Sequence, residues 1–229
     1  MHQPIICFVT DRASLPVMPG INREEALLER IRGAASAGVD WIELREKNMD
    51  SRPLLELMRA SVAAVRSSVP SGVGSSEDGS SKGSRLLLND RLDVACVTGA
   101  DGVHLTETSV PVGAVVSWTR QCGRKLLVGA SCHSLEGARR ADADGADYIF
   151  FGPVFATPSK EAFGPPQGLA KLGDICRGVR IPVLAIGGIT MANAAACVEA
   201  GAAGIAAIGL FQRSNDMAGL LTELRKRLG

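Results

Sequence analysis

The amino-acid sequence predicts a single TIM (β/α)8 barrel, and three observations carry the prediction. Short aliphatic or β-branched runs alternate eight times with Ala/Leu-rich stretches of helical spacing within 229 residues, and that many units in this length specify the barrel. Hydrophobic residues make up 46% of the chain but aromatics only 4%, so the core is layered from Ala, Val, Leu and Ile, as in parallel α/β proteins. The segments Ala37-Gly-Val-Asp40, Thr98-Gly-Ala-Asp-Gly102, Asp144-Gly-Ala-Asp147 and Ala200-Gly-Ala-Ala-Gly204 each read as a helix that ends on Gly and passes directly into a strand. Gly supplies the left-handed conformation that closes such a helix. An open doubly wound sheet would usually carry a Gly-rich turn after its first strand, where this chain has Thr10-Asp-Arg-Ala-Ser14.

Ile5 to Thr10 opens the barrel as an apolar run, and Arg23 to Ala37 follows with apolar residues at helical spacing. Val39 to Arg45 and the helix Arg52 to Ser67 form the second unit. Leu86 to Asn89 ends in a polar pair and precedes the helix Arg91 to Thr98. The short runs Gly102 to Leu105 and Leu126 to Ser131 are followed by Val112 to Cys122 and Leu135 to Asp144. Tyr148 to Gly152 precedes the helix Gly168 to Arg177, and Val183 to Gly187 precedes Ala192 to Ala200. Gly204 to Ile208 leads to the closing helix, Met217 to Leu228. Residues 181–198 carry no charge, yet Pro182, Gly187, Gly188, Thr190 and Asn193 fit a strand, a tight turn and a helix better than a membrane span. Ser67 to Ser84 is low-complexity and rich in Ser and Gly, and is expected to be a flexible insertion in an otherwise single domain over residues 1–229. It lies between the second helix and the third strand, on the face where strands begin.

A net charge of +1, with acids and bases interspersed, gives no field suited to nucleic acid or a membrane surface. Partners are therefore small molecules, and homo-oligomerisation is left open. Six cysteines show no Cys-x-x-Cys spacing, and no signal peptide is read before them. Reduced, buried thiols in a cytoplasmic protein are the expectation.

Strand parity decides which side chains enter the barrel. Trp41, Glu43 and Arg45 share a face, and the same parity brings Lys47 to the mouth, so Arg45 and Lys47 can converge on a phosphate or diphosphate. The alternative is a surface salt-bridge cluster with Glu46. Asn89 ends the third strand and Asp90 starts the loop, where Asp90 is either a Mg²⁺ ligand or a helix N-cap. Gly187 and Gly188 after the seventh strand and Gly209 after the eighth occupy the usual phosphate site of such barrels. The loop Pro153 to Gln167 is long for its position and reads as a lid carrying Thr157 and Lys160. His133 shares inward parity with Ser131 and could move a proton near neutral pH. Its neighbour Cys132 has the opposite parity, which argues against a Cys/His nucleophile. His104 reads as a hydrogen-bonding group of the core, and no His/Cys cluster has zinc-ligand spacing.

Leu44-Arg-Glu-Lys47, Asn89-Asp90, Ala100-Asp-Gly-Val-His-Leu105, Gly145-Ala-Asp-Tyr148, Gly152-Pro-Val-Phe155 with Thr157 to Lys160, and Ala185-Ile-Gly-Gly-Ile-Thr190 occur in that order. From about Ile5 to Phe211 the chain thereby resembles the thiamin phosphate synthases and their relatives, the TenI-type thiazole tautomerases. The resemblance implies joining of hydroxymethylpyrimidine diphosphate to a thiazole phosphate, with release of pyrophosphate. Carried over by position, Arg45, Lys47, Asn89 and Lys160 would stabilise the diphosphate and Asp90 would coordinate Mg²⁺. Ser131 and Thr157 would contact substrate or product, and Gly188 would help hold the thiazole phosphate.

Two positions depart from the pattern. The synthases usually have Gly-Gln-Glu-Asp after the fourth strand, the Asp being a second Mg²⁺ ligand, whereas this chain has Thr106-Glu-Thr-Ser109. Glu107 is the carboxylate left to reach the metal. Glu43 stands where many synthases have Gln, and could still accept a hydrogen bond from an aminopyrimidine. The missing Asp keeps a second reading open, a cofactor-free tautomerase with His133 as the acid/base group. A third is a barrel that binds a thiamin precursor without catalysis.

Overall fold

A run buried on both faces cannot alternate apolar and polar residues, and the strands of this chain accordingly read as continuous apolar segments. The computed structural model describes residues 3–16, 20–68, 83–157 and 165–229. In it eight parallel strands close into one barrel, each pairing with the next and the last returning to the first. They are β1 (Ile5–Val9), β2 (Trp41–Leu44), β3 (Arg85–Asn89), β4 (Gly102–Leu105), β5 (Leu127–Cys132), β6 (Tyr148–Phe151), β7 (Val183–Ile186) and β8 (Gly204–Ala207). The helices are α1 (Arg23–Ala37), α2 (Ser51–Ser67), α3 (Leu92–Thr98), α4 (Val112–Gln121), α5 (Leu135–Ala143), α6 (Gly168–Gly178), α7 (Ala194–Glu199), α8 (Gly209–Gln212) and α9 (Met217–Leu228).

The expected barrel is therefore present, with boundaries that differ by a residue or two. Two elements were not anticipated, the short helix α8 and a 3-10 turn at Arg12–Ser14. Both are too short to carry a hydrophobic period. α1 begins with a reciprocal capping pair, Asn22 accepting from the N–H of Glu25 at 2.8 Å and Glu25 from that of Asn22 at 3.4 Å. Gly38, Gly99, Gly145 and Gly201 all have left-handed backbones, as the repeated helix-to-strand junctions required.

Parity sorts the core into two layers. Cys7, Val9, Trp41, Leu87, Tyr148, Phe150, Leu184 and Ala206 pack together inside the barrel. Their sequence neighbours Ile6, Phe8, Ile42, Leu44, Leu86, Leu88, Ile149 and Phe151 pack outward with the helices. Aromatic rings fill the interior: Trp41 and Tyr148 lie 4.7 Å apart between centroids, and His104 and Phe150 4.2 Å. Gly129 makes room for them, since a Cβ there would stand 2.0 Å from the Tyr148 ring.

Among the described residues no helix is long and apolar enough to cross a membrane, and residues 181–198 resolve into β7, a turn and α7. All six cysteines are free thiols. The expectation that they are buried holds for Cys7, Cys132 and Cys197, whereas Cys122 at the end of α4 is exposed. Most of the Ser/Gly-rich insertion, residues 69–82, lies outside the described residues.

Candidate active site at the barrel mouth

The end of β2 is held by its neighbour. The backbone N–H of Arg45 donates to Thr10 Oγ1 at 3.0 Å, and the Thr10 hydroxyl donates to Glu46 Oε1 at 2.7 Å. Glu46 also accepts the Arg12 N–H on both oxygens, at 3.0 and 3.1 Å. Its carboxylate thus serves the loop after β1. Among the described residues no ion pair involves Arg45 or Lys47, while Glu46 pairs with Arg12 at 3.8 Å. That geometry separates Glu46 from the two cations and disfavours the salt-bridge cluster.

Glu43, two residues before Arg45, is 1% exposed. It faces Val9 of β1 and Leu87 of β3 in register. Its Oε2 is buried without a hydrogen-bond partner. Burial pushes its carboxyl up to about 8, against the opposing pull of Arg45 and Lys47.

Across the barrel, His104 bridges two strands, with Nδ1 3.1 Å from Tyr148 Oη and Nε2 2.9 Å from Ser131 Oγ. Burial, assisted by Arg45, pushes the His104 imidazole down to about 3, so it is neutral and one ring nitrogen donates while the other accepts. The core role expected of His104 is what the structure shows. Ser131 is thereby anchored at the level where β5 opens into the mouth.

Asn89 registers with His104, whose carbonyl accepts the Asp90 N–H at 2.8 Å. Asp90 is the one non-glycine among the described residues with a left-handed backbone, φ 66°, a conformation uncommon enough to mark a site. Of its two sequence readings, the helix cap is excluded. The N-cap of α3 is Arg91, with no side-chain cap bond, and Asp90 Oδ1 instead accepts the hydroxyl of Ser109. Ser109 Oγ also accepts the Thr106 N–H at 2.7 Å. Glu107 is exposed on the same loop, and its charge helps burial push the Cys132 thiol up to about 12. That thiol, turned outward into the helix layer, is unsuited to nucleophilic work.

No group of three or more His, Cys, Asp or Glu side chains able to hold a metal occurs among the described residues. Asp90 and Ser109 nevertheless offer adjacent hard oxygens at an open position. Mg²⁺ characteristically takes one or two carboxylates and completes its shell with phosphate and water, so this donor set fits it.

His133 follows β5 and its Nδ1 is hydrogen-bonded to the carbonyl of Gly152, an acceptor that makes Nδ1 the protonated nitrogen and leaves Nε2 for other partners. Gly187 and Gly188 both have left-handed backbones, φ 95° and 66°. A Cβ on Gly188 would stand 2.5 Å from the Ala156 carbonyl oxygen, so the turn packs directly on the loop after β6. Asn193 closes it by donating to the Gly188 carbonyl at 2.9 Å. Gly209 opens α8, and Thr157 is half-buried on the β6 loop. Lys160 and the middle of the expected lid, residues 158–164, lie outside the described residues.

Sequence reasoning missed Thr10, Glu46 and Tyr148 as parts of the site. The one available signal was that the chain's single tyrosine stands in a buried run, where its hydroxyl needs a partner.

A family model described as thiamine monophosphate synthase matches residues 6–211. The thiamine-phosphate synthase of Methanoculleus marisnigri is 40% identical over 208 residues, covering 91% of this chain and 90% of that protein. That of Roseiflexus castenholzii is 37% identical over 204 residues, covering 89% and 79%. Among solved structures, thiamine phosphate pyrophosphorylase from Pyrococcus furiosus superposes with a TM-score of 0.78 at 30% identity, covering 99% of this chain and 96% of that one.

Proposed function

Because the chain belongs to the thiamine monophosphate synthase family, we infer that it is a thiamine-phosphate synthase, a transferase of thiamine biosynthesis. In the reaction we propose, the bond from the pyrimidine methylene carbon to the diphosphate oxygen breaks, and its electron pair leaves with pyrophosphate. The ring nitrogen of a thiazole phosphate supplies the pair for the new C–N bond. Negative charge grows on the leaving group, so preset cations lower the barrier. No nucleophilic side chain is required.

The observation that carries this reading is the pair Arg45 and Lys47. They follow the end of β2, whose last residue Leu44 registers with Leu88 next to Asn89-Asp90 in sequence, and no ion pair among the described residues involves either. Arg45 offers a planar fork and Lys47 a point charge to the diphosphate, with Asn89 as a neutral donor and Lys160 as the cation of the β6 loop. Mg²⁺, held by Asp90 and Glu107 with the Ser109 hydroxyl beside them, would supply further neutralisation of the leaving diphosphate. Ser131 and Thr157 contact the substrates, and the backbone at Gly187, Gly188 and Gly209 receives the thiazole phosphate. His133, with Nδ1 fixed on the Gly152 carbonyl, keeps Nε2 for a proton or a ligand atom. A cytoplasmic setting is part of the proposal and accords with six free thiols.

The test is incubation with hydroxymethylpyrimidine diphosphate, thiazole phosphate and Mg²⁺. Equal amounts of thiamin phosphate and pyrophosphate are expected, and Arg45→Ala should lower kcat about 100-fold or more, as loss of one charge-stabilising donor does elsewhere. Absence of both products, with Mg²⁺-independent aromatisation of a thiazole tautomer that His133→Ala abolishes, would replace the synthase reading by the tautomerase.

A further inference from the structure

A phosphate monoester on the thiazole is largely dianionic at pH 7, yet Gly187, Gly188 and Gly209 offer it neutral backbone alone. Arg45, Lys47 and Lys160 are taken up by the diphosphate. A cation for this second phosphate is still wanting, and β8 leads directly to one. Ile186 of β7 registers with Ala206 of β8, so the Gly187-Gly188 turn leaves the barrel next to Ile208 and Gly209.

The short helix after β8 is fixed on one side by its last residue. Gln212 is 2% exposed, donates through Nε2 to the Asp11 carbonyl at 2.7 Å and accepts the Ser14 hydroxyl, which ties α8 to the loop after β1. Arg213 follows with helical backbone and donates its N–H to the Gly209 carbonyl at 3.2 Å. Helical geometry tilts each Cα–Cβ bond toward the N-terminus and stacks residues four apart, so the Arg213 side chain lies back over Gly209. A Cβ on Gly209 would stand 2.3 Å from Nη1, 2.9 Å from Cζ and 3.0 Å from Nη2 of Arg213. Glycine at 209 is what leaves the guanidinium that place.

The neighbouring arginines are engaged within the protein. Arg12 pairs with Glu24 and Glu46, Arg23 donates to the carbonyls of Arg12 and Ala13, and Arg30 donates to that of Ser214. Arg213 differs: it is exposed, and among the described residues its side chain makes no hydrogen bond or ion pair.

We propose that Arg213 is the cation that receives the thiazole phosphate, and that it sets the preference for the phosphorylated thiazole over the free alcohol. The inference rests on the synthase reading above and deepens it. A guanidinium presents two parallel N–H groups to two phosphate oxygens, while the glycine turns leave room for the remainder of the group. No bond inside the protein has to break when the phosphate arrives, so the whole interaction discriminates between phosphate and alcohol.

The experiment compares the native chain with Arg213→Ala and Arg213→Lys in steady-state synthesis at saturating pyrimidine diphosphate and Mg²⁺, with thiazole phosphate or the phosphate-free hydroxyethylthiazole as the varied substrate. Arg213→Ala should raise KM for thiazole phosphate about tenfold or more. Its kcat/KM for the alcohol and its KM for the pyrimidine diphosphate should stay within about twofold of native, because neither involves this phosphate. Arg213→Lys keeps the charge without the fork and should fall between the two. Tm should not change in either variant, since the side chain bonds to nothing in the protein. An unchanged KM for thiazole phosphate in Arg213→Ala, or an equal loss for phosphate and alcohol, would overturn the assignment while synthesis by the native chain continued. Failure of the native chain to make thiamin phosphate would instead remove the functional premise.

Discussion

Glu46 stands between Arg45 and Lys47 in sequence but turns to the loop after β1, where it holds the Thr10 hydroxyl and the Arg12 N–H. Through Thr10 it fixes the backbone of Arg45. Glu46→Gln keeps an acceptor but loses the charge, so the cations should sit less well on the diphosphate. KM for the pyrimidine diphosphate should rise about three- to tenfold with a smaller change in kcat, and Thr10→Val should reproduce the split. A proportional loss in kcat alone would refute this positioning role. Glu43 bears on stability. Its carboxyl is raised from 4.5 to about 8, so between those values the folded state binds its proton more tightly than the unfolded chain. The contribution is fully present below about pH 4.5 and is lost as pH rises toward 8, a swing of about 5 kcal/mol at most. Glu43→Gln should flatten that slope in denaturation curves taken from pH 5 to 9. Parity made Glu43, Arg45 and Ser131 legible as inward-facing, with His104 read as a core hydrogen-bonding group. It could not show that His104 and Tyr148 meet across the barrel, or that Ser109 binds Asp90, because those pairings depend on strand stagger and loop closure rather than on local pattern.

At the level of elements, the repeated Gly-x-Asp junctions do more than end helices. Asp40, Asp101 and Asp147 each reach back to the N–H of the second residue in the preceding strand: Ile6 at 2.6 Å, Leu86 at 2.7 Å and Val128 at 2.7 Å. A barrel strand begins with a backbone donor that no parallel neighbour satisfies, and a carboxylate at the start of the adjacent strand supplies the acceptor. The fourth junction has Ala203 in place of the Asp, with only its backbone bonded to Val183. Asp40 carries an additional load, the Arg225 guanidinium of α9 at 2.6 Å. Asp101→Ala should lower stability by about 1–2 kcal/mol, and Asp101→Asn, which keeps an oxygen in place, by less. In a molecule of this size that is a fall in Tm of roughly 3–6 °C for Ala, readable by thermal denaturation, with kcat unaltered because the bond lies at the end of the barrel away from the mouth. An unchanged Tm would dismiss these carboxylates as ornaments of the surface. The glycines were legible in the sequence from their local conformational duty. The aspartates were not, since each acts on a residue 15 to 34 positions earlier, across a register that only the closed barrel defines.

At the scale of the whole molecule, the barrel divides its labour between two ends. Loops that leave the C-terminal ends of strands carry Arg45, Lys47, Asp90, His133 and the glycine turn, whereas loops that lead into strands carry the stabilising aspartates. The Ser/Gly-rich insertion belongs to the second set by connectivity. It joins α2, which ends at Ser67, to β3, whose first residue Arg85 registers with Trp41 at the start of β2. On the return side, Ser84 donates to the Val39 carbonyl at 2.5 Å, so the entry to β3 is pinned without the intervening residues. Replacing residues 69–82 by a short Gly-Ser linker should therefore leave kcat/KM within about twofold, since the groups proposed for charge stabilisation follow the other ends of the strands. Shortening a connection by this much also reduces loop-closure entropy by about 1 kcal/mol, so Tm should stay level or rise by roughly 2–4 °C. The matched excision at the other end, within Pro153 to Gln167, removes Lys160, the cation proposed for the diphosphate, and should depress kcat by at least tenfold. If instead the Ser/Gly deletion were the one that abolished turnover while Tm held, the division of the barrel into a catalytic and a supporting end would fail for this chain.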